Sequence, residues 1–263
     1  MESFRFQGGA AVNAPNKSIN GDRKKRVALF QTLGEKNEGN MEHRALNIIF
    51  IGVLLLGTTS CATISNNPIA SEATSESYAT SSSTKGTVIL AVNWGRKWAC
   101  GPFENAEILS FGFDRYPLSN VTNNYTPEIF IDGPPRLLKK PIFISYALLL
   151  EPGQYALTSF DIKAARSVSD VGVFKANRTH LIVNNEIKSG SFNVKANEVI
   201  YIGHFYVDCH EEAIIWRLYP EDRDSFNSYV SEVVQKYPFL GKDKIIFRLF
   251  KTKTMGLDFD LPE

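Results

Sequence analysis

From Gly86 onward, apolar residues recur with the short periods of β-strands rather than with a helical repeat. Thr87–Asn93 is a compact apolar run, Pro127–Gly133 ends in an Asp-Gly-Pro-Pro turn, and Ile142–Leu150 is almost continuously apolar. Such continuity predicts a strand in the middle of a sheet. Glu151-Pro-Gly-Gln supplies a turn, with proline fixing φ and glycine allowing φ > 0. Tyr155–Ile162 then returns with period two as the second arm of a hairpin. Ser191–Val207 repeats the device around a Lys195-Ala-Asn turn, and a further strand is predicted at Ala213–Tyr219. One helix stands out: Asp222 or Asp224 caps it, and Phe226, Tyr229, Val230, Val233, Val234 and Tyr237 form one apolar stripe. Pro238 and Gly241 end it, and Lys244–Phe250 follows as a last strand. The pattern predicts a mainly β domain over residues 86–263, a β-sandwich or small barrel with one C-terminal α-helix.

The residues before Gly86 follow different rules. Ile48–Leu56 is nine uncharged, mostly apolar residues, well short of the roughly 20 that a spanning helix needs. Arg44 precedes it, and the small residues Gly57-Thr-Thr-Ser60 lead into Cys61. That order fits the apolar centre of a signal peptide. Residues 62–85 are rich in Ser, Thr and Ala, the composition of a flexible tether rather than of a core element. As a coil it would reach on the order of 25–30 Å.

In this region the chain resembles the bacterial lipoprotein signal, whose box ends in two small residues and an obligatory cysteine. Thr59 and Ser60 take the small positions, while Thr58 stands where leucine is usual. The resemblance implies a diacylglycerol on the Cys61 thiol, cleavage just before it, and acylation of the new amino group. More than one chain is needed, because a single acyl chain holds only marginally at about 0.8 kcal/mol per buried CH₂. It also implies a cell-envelope location, and Ala62 after the cysteine favours the outer membrane, with the domain facing the periplasm.

Residues 1–40 lengthen the positive region of such a signal and include Arg23-Lys-Lys-Arg26. Met41 offers an internal start, and the codons for Glu38-Gly39 necessarily carry a ribosome-binding-like stretch just before it. The expectation is therefore a mis-assigned extension over 1–40, a signal peptide over 41–60, and a lipidated cysteine with its tether over 61–85.

Charge narrows the partners. The chain has 29 Lys and Arg against 28 Asp and Glu, and residues after Cys61 hold 21 against 23. No global field would draw nucleic acid to it. The three cysteines are Cys61, Cys100 and Cys209. Lipidation of the first leaves the other two for a disulfide, which an oxidising compartment permits, and the competing arrangement is two separately buried thiols.

A second resemblance concerns the domain. Leu150-Glu-Pro-Gly-Gln-Tyr and Ser191-Phe-x-Val-x-Ala-x-Glu-x-x-Tyr-Ile-Gly look like a recurrent module of uncharacterised envelope lipoproteins with prealbumin-like sandwiches, over about 70 residues from Pro141 to Asp208. It implies two hairpins packed together, with Asn197 where glycine is usual, and it brings no catalytic residues.

No nucleophile elbow, phosphate loop or zinc-binding helix motif is present. His204, Asp208, Cys209, His210 and Glu211 are the densest group of possible ligands, but a metal needs three or four to converge, and a strand splits them between its faces. Asp161, Asp170 and Glu186 show no spacing of a glycosidase pair. Trp94, Trp98, Phe103 and Tyr116 surround Cys100 and could line a sugar or peptide groove, or pack as a core on a disulfide. The expectation is a non-enzymatic envelope protein with a structural, assembly or protein-binding role, without metal or cofactor. The alternative is a carbohydrate- or peptide-binding module around Trp94 and Trp98.

Overall fold

The computed structural model describes residues 72–118, 126–135, 142–209, 213–257 and 259–262. The protein is mainly β, with thirteen strands and three α-helices among these residues. One sheet holds β1 (Gly86–Asn93), β5 (Phe143–Leu150), β11 (Val199–Asp208), β12 (Ile214–Leu218) and β13 (Ile245–Phe247). β11 lies at its centre, parallel to β1 and β13 and antiparallel to β12, while β5 pairs antiparallel with the other side of β1. A second sheet is built on the long pair β3 (Phe103–Tyr116) and β6 (Gly153–Ala165). β2 (Lys97–Cys100) and β4 (Ile129–Asp132) extend it beside β3, and β7 (Val171–Ala176) and β10 (Ser191–Val194) extend it beside β6. A small ladder, β8 (Ile182–Val183) with β9 (Glu186–Ile187), stands apart.

The two sheets share one core. Val88, Leu90, Ile200, Ile202 and Phe205 of the first sheet meet Ile108, Phe111, Phe113, Leu157 and Ile162 of the second. The opposite face of the first sheet is also covered. Helix α3 (Arg223–Lys236) lays Phe226, Tyr229, Val230 and Val233 over Ile89, Ala91, Ala147 and Tyr201. Asp222 is its N-cap, accepting from the Ser225 amide at 2.8 Å.

This double covering corrects the reading of Ile142–Leu150. The strand lies at the edge of its sheet, not in the middle. Its residues alternate between the two apolar clusters, Leu148 and Leu150 on one side and Ala147 and Leu149 on the other, so it reads as continuously apolar wherever it stands in the order.

Both expected hairpins are corrected as well. Residues 151–152 carry the chain from β5 in the first sheet to β6 in the second, and residues 195–198 carry it back from β10 to β11. Neither turn joins paired strands; each is a crossing between sheets. The two segments do meet, because β10 pairs with the start of β6, Phe192 opposite Tyr155. Tyr155 donates its hydroxyl to the Glu151 carbonyl at 3.0 Å and fixes the first crossing. Asn197, at φ +61°, makes the second in the left-handed region that asparagine tolerates.

The stretch expected as tether is partly structured. The Ala73 amide donates to the Ala147 carbonyl on the edge of β5 at 2.7 Å, and Lys236 of α3 pairs with Glu72 at 2.9 Å. Helix α1 (Ser75–Ser81) follows, capped by Thr74. With α2 (Arg178–Leu181), a single turn, it adds to the one helix that the sequence predicts. Residues 1–71, with the proposed signal and Cys61, lie outside the described residues.

Candidate functional site

Trp94, Trp98 and the two cysteines Cys100 and Cys209 lie where β1 gives way to β2 and β11 ends. The Gly95 amide donates to the Asn93 side-chain oxygen at 2.9 Å, which turns the chain, and Trp94 drops into the core. Trp94 is fully buried, and its indole N–H donates to the Tyr146 hydroxyl at 2.8 Å. Cys100, at the end of β2, is bonded to Cys209, which directly follows β11. Their Cα atoms lie 4.6 Å apart across 109 residues, and the bond joins the two sheets. Lys97 pairs with Asp208 at 3.9 Å beside it.

The four aromatics around Cys100 separate accordingly. Phe103 packs in the same core as Trp94, whereas Trp98 is 65% exposed under the Arg96 guanidinium, 5.3 Å from the ring centroid. Tyr116 donates to the Asn185 carbonyl elsewhere. Trp94 therefore lines no groove, and a binding face built on Trp94 with Trp98 is not formed.

The ligand cluster read around Cys209 is not assembled among the described residues, which hold no group of three or more metal-ligating side chains. Cys209 is in the disulfide and Asp208 faces Lys97, while His210 and Glu211 lie outside the described residues. His204 sits under α3 instead. A bulge at Gly203, φ +124°, turns it towards Tyr201, whose hydroxyl shares a hydrogen bond with its Nδ1, and towards the rings of Tyr229 and Phe143 at 4.5 and 4.7 Å. Burial pushes its pKa down to about 3.

That depression has a consequence for stability. An unfolded histidine titrates near 6.5, so below that pH the unfolded chain takes a proton that the folded one refuses, and stability falls towards acid. Between pH 6.5 and 5 the loss attributable to His204 is about 2 kcal/mol, at roughly 1.4 kcal/mol per pH unit. Urea denaturation of His204→Gln should show a flatter pH dependence over that window. An unchanged slope would contradict this account.

Two features escaped the sequence. Asp132 and Asp161, 29 positions apart, face Ser110 from either side across the second sheet. Burial raises both carboxyls, the Asp161 charge raises Asp132 further, and Lys175 counters at Asp161 from 3.6 Å. The other is a buried ion pair on that sheet's outer face. Arg178 of α2 grips the Asp114 carboxylate at 2.6 and 2.9 Å, and that carboxylate also accepts from Thr158 and from the Glu128 amide at 2.9 Å. Of the other acids weighed in the sequence, Asp170 pairs with Arg166 at 3.7 Å and Glu186 with Lys188.

Compared with known proteins, the chain matches no family model, no curated protein and no solved structure.

Proposed function

We propose that the chain is an exported lipoprotein, held on the outer membrane of a cell envelope by lipid on Cys61, whose β domain has a non-enzymatic structural, assembly or protein-binding role. The observation that carries the reading is the Cys100–Cys209 bond between the sheets. Such bonds persist in oxidising compartments. It leaves Cys61 as the one remaining cysteine, placed after an apolar run and two small residues. No helix among the described residues is long and apolar enough to cross a membrane. The fold reading that accompanies it is a prealbumin-like β-sandwich, supported by two sheets around one core. Since Glu72 is already tied to the domain, the ten residues 62–71 span at most roughly 35 Å between lipid and fold. The domain then sits close to the bilayer.

Cys61→Ser should abolish incorporation of a palmitate analogue, leave uncut precursor and release the protein from membranes. Labelling at the level of the parent would end the proposal. The parent should fractionate with the outer membrane of a Gram-negative host, and recovery in the inner membrane would overturn that part.

A further inference from the structure

Between the end of β1, the start of β2 and the last residues of β11, a cavity of about 230 Å³ is lined by Asn93, Gly95, Arg96, Lys97, Tyr206 and Val207. Its polar side chains are donors. Arg96 and Lys97 bring two positive charges, and the Asn93 oxygen is already occupied by the Gly95 amide, which leaves its NH₂ group. Burial first, then the Asp208 charge, push the Tyr206 phenol up to about 12, so it keeps its proton. Among the described residues no carboxylate lines the cavity. Asp208 holds Lys97 from 3.9 Å, and among the described residues Arg96 has no acidic partner, only the Trp98 ring beneath it.

A half-buried guanidinium with no acidic partner among the described residues, a lysine and two neutral donors around one small space match a ligand made of acceptors and negative charge. We propose that this cavity is a binding site for a small oxyanion, a phosphate group, with Arg96 as the principal contact and Lys97 as the second. The volume is below the roughly 300–1,000 Å³ typical of whole organic ligands, so it suits a terminal group. The exposed Trp98 ring alongside offers a flat apolar face to whatever carries that group, a sugar ring above all. The site does not depend on the lipid anchor.

The test is calorimetric titration of the full chain in detergent micelles at low salt, with inorganic phosphate, glucose 6-phosphate and uncharged glucose as probes. At least one anionic probe should bind with a Kd of about 0.1–1 mM, weakening as salt rises, and glucose should not bind. Arg96→Ala should weaken binding at least about tenfold, and Arg96→Lys, which keeps the charge but not the fork, by a few-fold. A tighter glucose 6-phosphate complex that loses its advantage in Trp98→Ala assigns the site to a sugar-borne anion; equal affinities assign it to the free ion. Neither probe binding at roughly 10 mM, or Arg96→Ala and Arg96→Lys both binding like the parent, overturns the proposal.

Discussion

Replacing Cys100 and Cys209 together by alanine should lower the thermal midpoint by roughly 10–15 °C. The bond closes a loop of 109 residues between the two sheets. In the chain-entropy account, such a loop restrains the unfolded chain by about 4–5 kcal/mol, an upper figure. For a domain of this size each kcal/mol moves the midpoint by about 2–4 °C. Its position adds to the effect: Cys100 is fully buried in the shared core, and the bond ties short β2 to the end of β11 where Lys97–Asp208 is the neighbouring polar link. The measurement is far-UV circular dichroism of parent and double variant on heating. A shift of only a degree or two would show that packing alone closes this end. Alkylation of the non-reduced mature protein should find no reactive thiol, and two modified cysteines would remove the bond from consideration.

Arg178→Ala should destabilise the protein by about 3–5 kcal/mol, the range for breaking one side of a buried ion pair. The loss is large because the Asp114 carboxylate, 1% exposed, would stay behind without its guanidinium. Its remaining donors, Thr158 and the Glu128 amide, supply hydrogen bonds but no charge. Asp114→Val combined with Arg178→Met should recover much of the loss, because an apolar pair carries no desolvation penalty. Urea denaturation of the three variants measures both effects. If Arg178→Ala lies within about 1 kcal/mol of the parent, the pair does not hold α2 to the second sheet in the way described.

The strands with clean patterns were legible in the chain: β1, β4, β12 and helix α3 lie where apolar spacing and caps put them. The last strand was legible only in part, since a 3₁₀ turn takes Lys242–Lys244 and β13 keeps three residues. β3, the longest strand, was missed. Its outer face carries Asn105, Glu107 and Asp114, and irregular register near residue 109 and again at Gly112–Phe113 breaks the period of two. A bulge flips the alternation partway along a strand, which removes the signal that periodicity relies on. At the candidate site, Trp94 and Trp98 are four positions apart yet one is core and the other surface, and Arg96 and Lys97 gave no motif to find.

What the sequence determined by itself was local: that the cleanly patterned segments are extended, where they turn, where α3 begins and stops, and that Cys100 and Cys209 could pair. These follow from side-chain branching, backbone preference and cysteine parity, properties of neighbouring residues. Only the tertiary structure decided which edge each strand takes. A Pro-Gly turn sends the chain sharply aside, but whether it returns along the same sheet or crosses to the next depends on which edges and faces remain uncovered. In this protein β5 finds its edge on β1 and β6 finds its edge on β3, so the two part company, Asp114 meets Arg178 from 64 positions away, and the donors around Arg96 converge.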